Sequence, residues 1–160
     1  MDGEIIKCLY PGLVHSHMKY SVQAWSPHYR KDIEILEKVQ RRATKLIPEL
    51  HEKPYEERLK ILNLTTLEDR RIRGDLIEVF KIMHGYENID RKQFFILSAE
   101  VSPHETRGHD MKIWTPPKKT ITRRKFFDIR IIDLWNQLPP EVVDSISILS
   151  FKLDKSRCAL

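Results

Sequence analysis

A chain of 160 residues with 41% apolar and 32% charged side chains is long enough to bury a core without disulfide or metal staples. A net charge of +5 and a pI of about 9.2 admit a polyanionic partner, and only 5 Gly argue against a turn-rich β protein. Cys8 and Cys158 lie at opposite ends with no CxxC, no apolar run approaches ~18 residues, and the opening MDGEIIKCLYPG has no long apolar stretch. The expectation is a reduced intracellular protein, nuclear or cytoplasmic, with no disulfide framework, membrane span or secretory leader.

Residues 4–10 suit a short helix. A second runs from Pro11 to about Trp25 and stops at Ser26-Pro27, because the residue before Pro avoids the helical region. Residues 31–47 form the next helix, with Leu36, Val39, Ala43, Leu46 and Ile47 as its apolar stripe and Pro48 as its end. In residues 53–62, Pro54 opens a helix whose first turn is acidic and whose buried edge is Tyr55, Leu59 and Leu62. Thr65 and Glu68 read as a capping box for a long helix that buries Ile72, Leu76, Val79, Phe80 and Met83 and ends at His84-Gly85. Gly74 inside that helix predicts a close neighbour.

Residues 86–120 are the least regular. Phe94, Phe95 and Leu97 are expected over the core, residues 106–109 as a turn, and residues 111–114 as a short extended piece. A last strong helix is predicted over 122–138, with Phe127, Ile131, Leu134, Trp135 and Leu138 inward. Ser147 is placed to cap a tail helix holding Leu149 and Phe151.

Two basic segments stand out. On the helix over 31–47, Lys38, Arg41, Arg42 and Lys45 repeat at helical spacing on a face away from the apolar stripe. Glu34–Lys38 and Glu37–Arg41 are favourable i, i+4 pairs, whereas Arg42 and Lys45 have no acid one turn before them. On the long helix, Asp69–Arg73 and Arg71–Asp75 pair and leave mainly Arg70 over. The second segment is Lys118, Lys119, Arg123, Arg124 and Lys125. With Thr122 as N-cap, the last three would fill the first turn of a helix, where the dipole disfavours cations and favours a phosphate. This segment is the first choice for anion contacts, and Arg42 and Lys45 come second. Phe126 and Trp114 lie near these cations and are expected in the core.

No catalytic pattern is present. His15 and His17 would point apart on a helix, no Asp-Asp pair occurs, and no Walker loop, G-x-S-x-G or dinucleotide turn is found. No metal or cofactor is expected.

Four stretches, taken in order, carry a family likeness. They are LVHSHMKY followed by Trp25-Ser26-Pro27; LEKVQRRA from Leu36; PYEERL from Pro54 leading to Arg70-Arg71; and Phe126-Phe127 leading to WNQLP from Trp135. Thr106-Arg107-Gly108 and Ser150-Phe151-Lys152 fit the same pattern, so the likeness spans nearly the whole chain. In this order and spacing the chain resembles the carboxy-terminal part of jockey-like non-LTR retrotransposon reverse transcriptases. The resemblance implies a thumb and the segment beyond it, which grips template and primer while a separate palm does the chemistry. His15 and Lys19 depart from the Arg and Glu usual around the first helix of that family, which puts any ion pair there in doubt.

The expected fold is all-α, about five or six helices in one compact unit. Residues 1–85 would form a thumb-like bundle, and residues 86–160 an irregular connector with a carboxy-terminal helix. The expected function is non-catalytic, sequence-tolerant binding of RNA or DNA backbone. The alternative is an orphaned or domesticated fragment that acts as a protein-interaction module or has no function, with exposed apolar surface available to a polymerase palm or to a second copy.

Overall fold

The computed structural model describes residues 22–102, 108–117, 120 and 122–157. The helices expected over 4–10 and most of 11–25, and part of the turn at 106–109, lie outside the described residues. The fold is all-α: among the described residues, helices alternate with short 3-10 turns, and the one β contact is an isolated antiparallel bridge. The chain divides into two compact units, Met1–Gly74 and Asp75–Leu160, with the division inside the long helix.

In the first unit, α1 is Val22–Trp25, α2 Arg30–Lys45, α3 Tyr55–Ile61, and α4, Leu67–Met83, begins there. Helix α1 stops before Ser26-Pro27 as expected, and Pro48 starts a 3-10 turn, Pro48–Leu50. Pro54 is extended and immediately precedes α3. The cap of α4 lies one residue later than the sequence suggests. Thr66 Oγ accepts from the Asp69 N–H at 3.1 Å and donates to the Asp69 carboxylate at 2.6 Å, so Thr66 and Asp69 do the work expected of Thr65 and Glu68. Val22 Cγ1 would lie 3.9 Å from a Cβ on Gly74, an ordinary contact, so the close approach expected there is not required.

The buried face of α2 takes in only part of its apolar stripe: Ile47 is buried and Leu36 and Ala43 are half-buried, whereas Val39 and Leu46 are exposed, as is Ile35. The same covered face includes buried Gln40 and Thr44, and each of these finds a partner. Gln40 Nε2 donates to Tyr55 Oη at 3.0 Å and to the Thr65 carbonyl at 2.9 Å. Thr44 Oγ donates back to the Gln40 carbonyl, and Arg58 Nη1 donates to the Arg41 carbonyl and to Thr44 Oγ. Paired polar groups can be buried at little cost, so tertiary contacts turn the covered face away from Val39 and Leu46 and towards Gln40 and Thr44.

The second unit contains the rest of α4, then α5 (Ser98–Val101), α6 (Phe127–Arg130), α7 (Ile132–Asn136), α8 (Pro140–Val143) and α9 (Ile148–Arg157). Gly85, at φ +70°, ends α4, with Gly85 N–H bonded to the Ile82 carbonyl and Tyr86 N–H to that of Lys81, a Schellman stop. Phe95 is buried, Leu97 half-buried and Phe94 exposed, so only part of that trio covers the core. The extended piece at 111–114 is realised as the Leu97–Ile113 bridge. Asn136 holds Ile113 like a neighbouring strand, accepting from its N–H at 2.9 Å and donating to its carbonyl at 2.8 Å.

The single helix expected over 122–138 is broken into a 3-10 turn, Arg123–Lys125, followed by α6 and α7. Phe126 is extended at ψ 148° and separates the turn from α6. Ile129, Ile131, Ile132, Trp135 and Leu138 are all buried on α6, α7 and the residues beside them. Phe151 stacks on Phe80 at 4.4 Å in the same core. Ser147 Oγ caps α9 through the Ser150 N–H as expected, but Leu149 is exposed.

Candidate nucleic-acid interface

The first-choice cations lose the setting that recommended them. Lys118 and Lys119 lie outside the described residues. Thr122 is helical and caps nothing with its side chain, and Arg123, Arg124 and Lys125 form a single 3-10 turn with no long helix dipole behind it. Arg123 is paired by both guanidinium nitrogens with the Asp128 carboxylate and lies over the Phe126 ring at 5.3 Å. Phe126 itself is exposed, against the expectation that it packs inside. Arg124 stays exposed, and Lys125 is half-buried with its carbonyl accepting from Arg130. Arg70 is half-buried on α4.

The α2 cations move the other way. The ion pairs expected to neutralise them, Glu34–Lys38 and Glu37–Arg41, do not form. Glu34 lies 3.6 Å from Arg30. Glu37 is used twice: one oxygen accepts from the Tyr55 hydroxyl, and the other from the backbone N–H of Leu67 at 3.0 Å, capping the start of α4. Among the described residues Lys38, Arg41, Arg42 and Lys45 therefore make no ion pair, and all four are exposed. Arg41 has a different neighbour: its guanidinium lies over the Tyr55 ring at 4.8 Å, with buried Arg58 at 5.5 Å from the same ring.

No family model, curated protein or solved structure matches this chain. A cleft of about 490 Å³ opens beside Tyr55 between α2, α3 and the start of α4. Glu34, Glu37, Glu56 and Glu68 line it against Arg30, Lys38 and Arg41, so acids outnumber cations and it does not suit a polyanion. The outward face of α2 is different: Lys38, Arg42 and Lys45 are exposed there, and its exposed acid, Glu34, lies against Arg30. Among the described residues no group of three or more His, Cys, Asp or Glu could hold a metal ion, and no helix is long and apolar enough to cross a membrane.

Sequence reasoning missed Lys31, which belongs to the same row. It is exposed, makes no ion pair among the described residues, and lies over the Tyr29 ring at 5.8 Å. The signal was available: Lys31 stands seven residues before Lys38, two helical turns away.

Proposed function

We propose that the chain is a non-catalytic module that binds the sugar–phosphate backbone of RNA or DNA, as would befit the thumb region of a retrotransposon RNA-directed DNA polymerase. One observation carries the reading: Lys38, Arg41, Arg42 and Lys45 form an exposed cationic row while the neighbouring acids are committed to other partners. Carrying unpaired like charges one turn apart costs a few tenths of a kcal/mol per pair, and a row of phosphates would remove that cost. No set of residues suited to reading base edges accompanies the row, so the module is sequence-tolerant. On this reading the template and primer are its partners, and polymer synthesis belongs to a palm with an Asp-Asp motif that this sequence does not contain.

The test is affinity for an RNA–DNA duplex as a function of salt. Four phosphate contacts give a log–log slope near −3.6, a loss of over ~100-fold between 50 and 200 mM salt. Reversing Arg42 and Lys45 to Glu reduces the slope by about 1.8. A slope near zero for the unaltered chain would overturn the proposal.

A second reading draws on a specific observation. Ile35, Val39 and Leu46 are exposed on α2 by 57%, 42% and 65%, an apolar ridge of the kind a protein partner covers. Under that reading the fragment is an interaction module, and light scattering would find complexes or dimers indifferent to nucleic acid.

A further inference from the structure

We propose that the exposed side of α2 holds an unpaired nucleic-acid strand lengthwise, in preference to a duplex. The inference rests on the backbone-binding reading and names the form of nucleic acid that the same helix takes.

Two stripes run side by side along this helix. Lys31, Lys38, Arg42 and Lys45 fall within about 60° of one another around the axis, and span about 21 Å along it. Ile35, Val39 and Leu46 fall within about 40°, immediately beside the cations. Both stripes face solvent. A duplex offers such a surface only phosphates and groove edges, which leaves the aliphatic ridge without a partner. A single strand has the same two-part chemistry as the helix: a charged backbone along one edge and the apolar faces of unpaired bases along the other. Phosphates on the cationic stripe put the bases over the aliphatic one.

The amino-terminal end of the cationic row adds an aromatic platform. Tyr29 is 55% exposed, its ring lies 4.3 Å from that of exposed His28, and Lys31 Nζ sits over it. Trp25, four residues earlier, is also exposed. Exposed rings beside cations stack on bases only when those bases are free of a partner strand.

Fluorescence anisotropy tests this with two probes in low salt: labelled oligothymidylate of about a dozen nucleotides, and a dA·dT duplex of equal length. The expected result is single-strand binding about tenfold or more tighter than duplex binding. Tyr29→Ala, and separately Ile35→Ser with Leu46→Ser, weaken the single strand by about tenfold and leave the duplex unchanged, while Tyr29→Phe retains the preference. These positions are exposed, and Tyr29→Phe supplies a folded control with the ring in place. Equal affinity for the two probes, or substitutions that weaken both alike or neither, would overturn the single-strand inference. The backbone reading would survive that result provided Arg42→Glu with Lys45→Glu weakens both probes, and would fail if the double reversal changed neither. A dimer of the unaltered chain that oligothymidylate does not dissociate would overturn the inference by assigning the ridge to a second copy.

Discussion

Tyr55 links more of the first unit than its place on a short helix suggests. It accepts from Gln40, donates to Glu37, and has the guanidinium groups of Arg41 and Arg58 over its ring. Tyr55→Phe keeps the ring and removes both hydrogen bonds, leaving a buried Gln40 N–H short of an acceptor. The expected cost is about 1–3 kcal/mol, read from the urea midpoint. His109 is the corresponding residue of the second unit. It is buried, and since the Trp135 carbonyl can only accept, Nε2 carries the proton at 3.2 Å while Nδ1 has no hydrogen-bond partner among the described residues. Burial pushes its pKa below the usual 6.5; Lys112 pushes the same way, and the Trp135 carbonyl, Asp144 and Asp110 oppose. Between 6.5 and the lower folded value the unfolded chain binds more protons, so stability falls as pH drops through that window and is unaffected above it. Urea unfolding at about pH 7.5 and about pH 5.5 should show the loss, and His109→Gln should reduce it. Tyr55 was legible in the sequence as a buried edge. Its polar partners were not, because they come from residues 15 and 18 positions away in the chain.

Helix ends were more legible than helix faces. Ser26-Pro27, Pro48 and Gly85 stop elements for local reasons, through steric restriction before proline and the left-handed conformation open to glycine. The start of α4 was placed one residue early because Thr65 and Thr66 are equivalent in type, and only the backbone decides which hydroxyl faces the third N–H. Thr66→Ala should therefore cost about 1 kcal/mol and Thr65→Ala much less, as measured by urea denaturation. Gly74 is the converse case. A methyl group there meets Val22 at an ordinary 3.9 Å, so Gly74→Ala should stabilise the chain by about 0.5–1 kcal/mol in the same assay. The helix expected over 122–138 does not form as one element: Phe126 is extended at ψ 148°, and Ile129 and Ile132, outside the predicted stripe, are buried as well.

For the whole molecule, the basic balance gives no location for a site, and the two candidate segments separate only once their acids are traced. Asp128 neutralises Arg123, while Glu37 turns from Arg41 to Tyr55 and to the start of α4. Charge reversal should expose the difference. Arg42→Glu with Lys45→Glu is expected to lower oligonucleotide affinity more than Arg123→Glu with Arg124→Glu, measured side by side in one low-salt buffer. The reverse order would return the site to the turn before α6.

The sequence alone determined the helical class, the punctuation of the helices and the presence of four regularly spaced cations, because propensity, turn chemistry and periodicity are local. Only the tertiary structure decided which face of α2 is covered. Periodicity distinguishes an apolar stripe from a polar one, but it cannot tell that Gln40 and Thr44 would find partners in Tyr55, Thr65 and Arg58. Those partners draw Gln40 and Thr44 into the covered face beside Ile47, and so leave cations and the aliphatic side chains of Ile35, Val39 and Leu46 together in solvent.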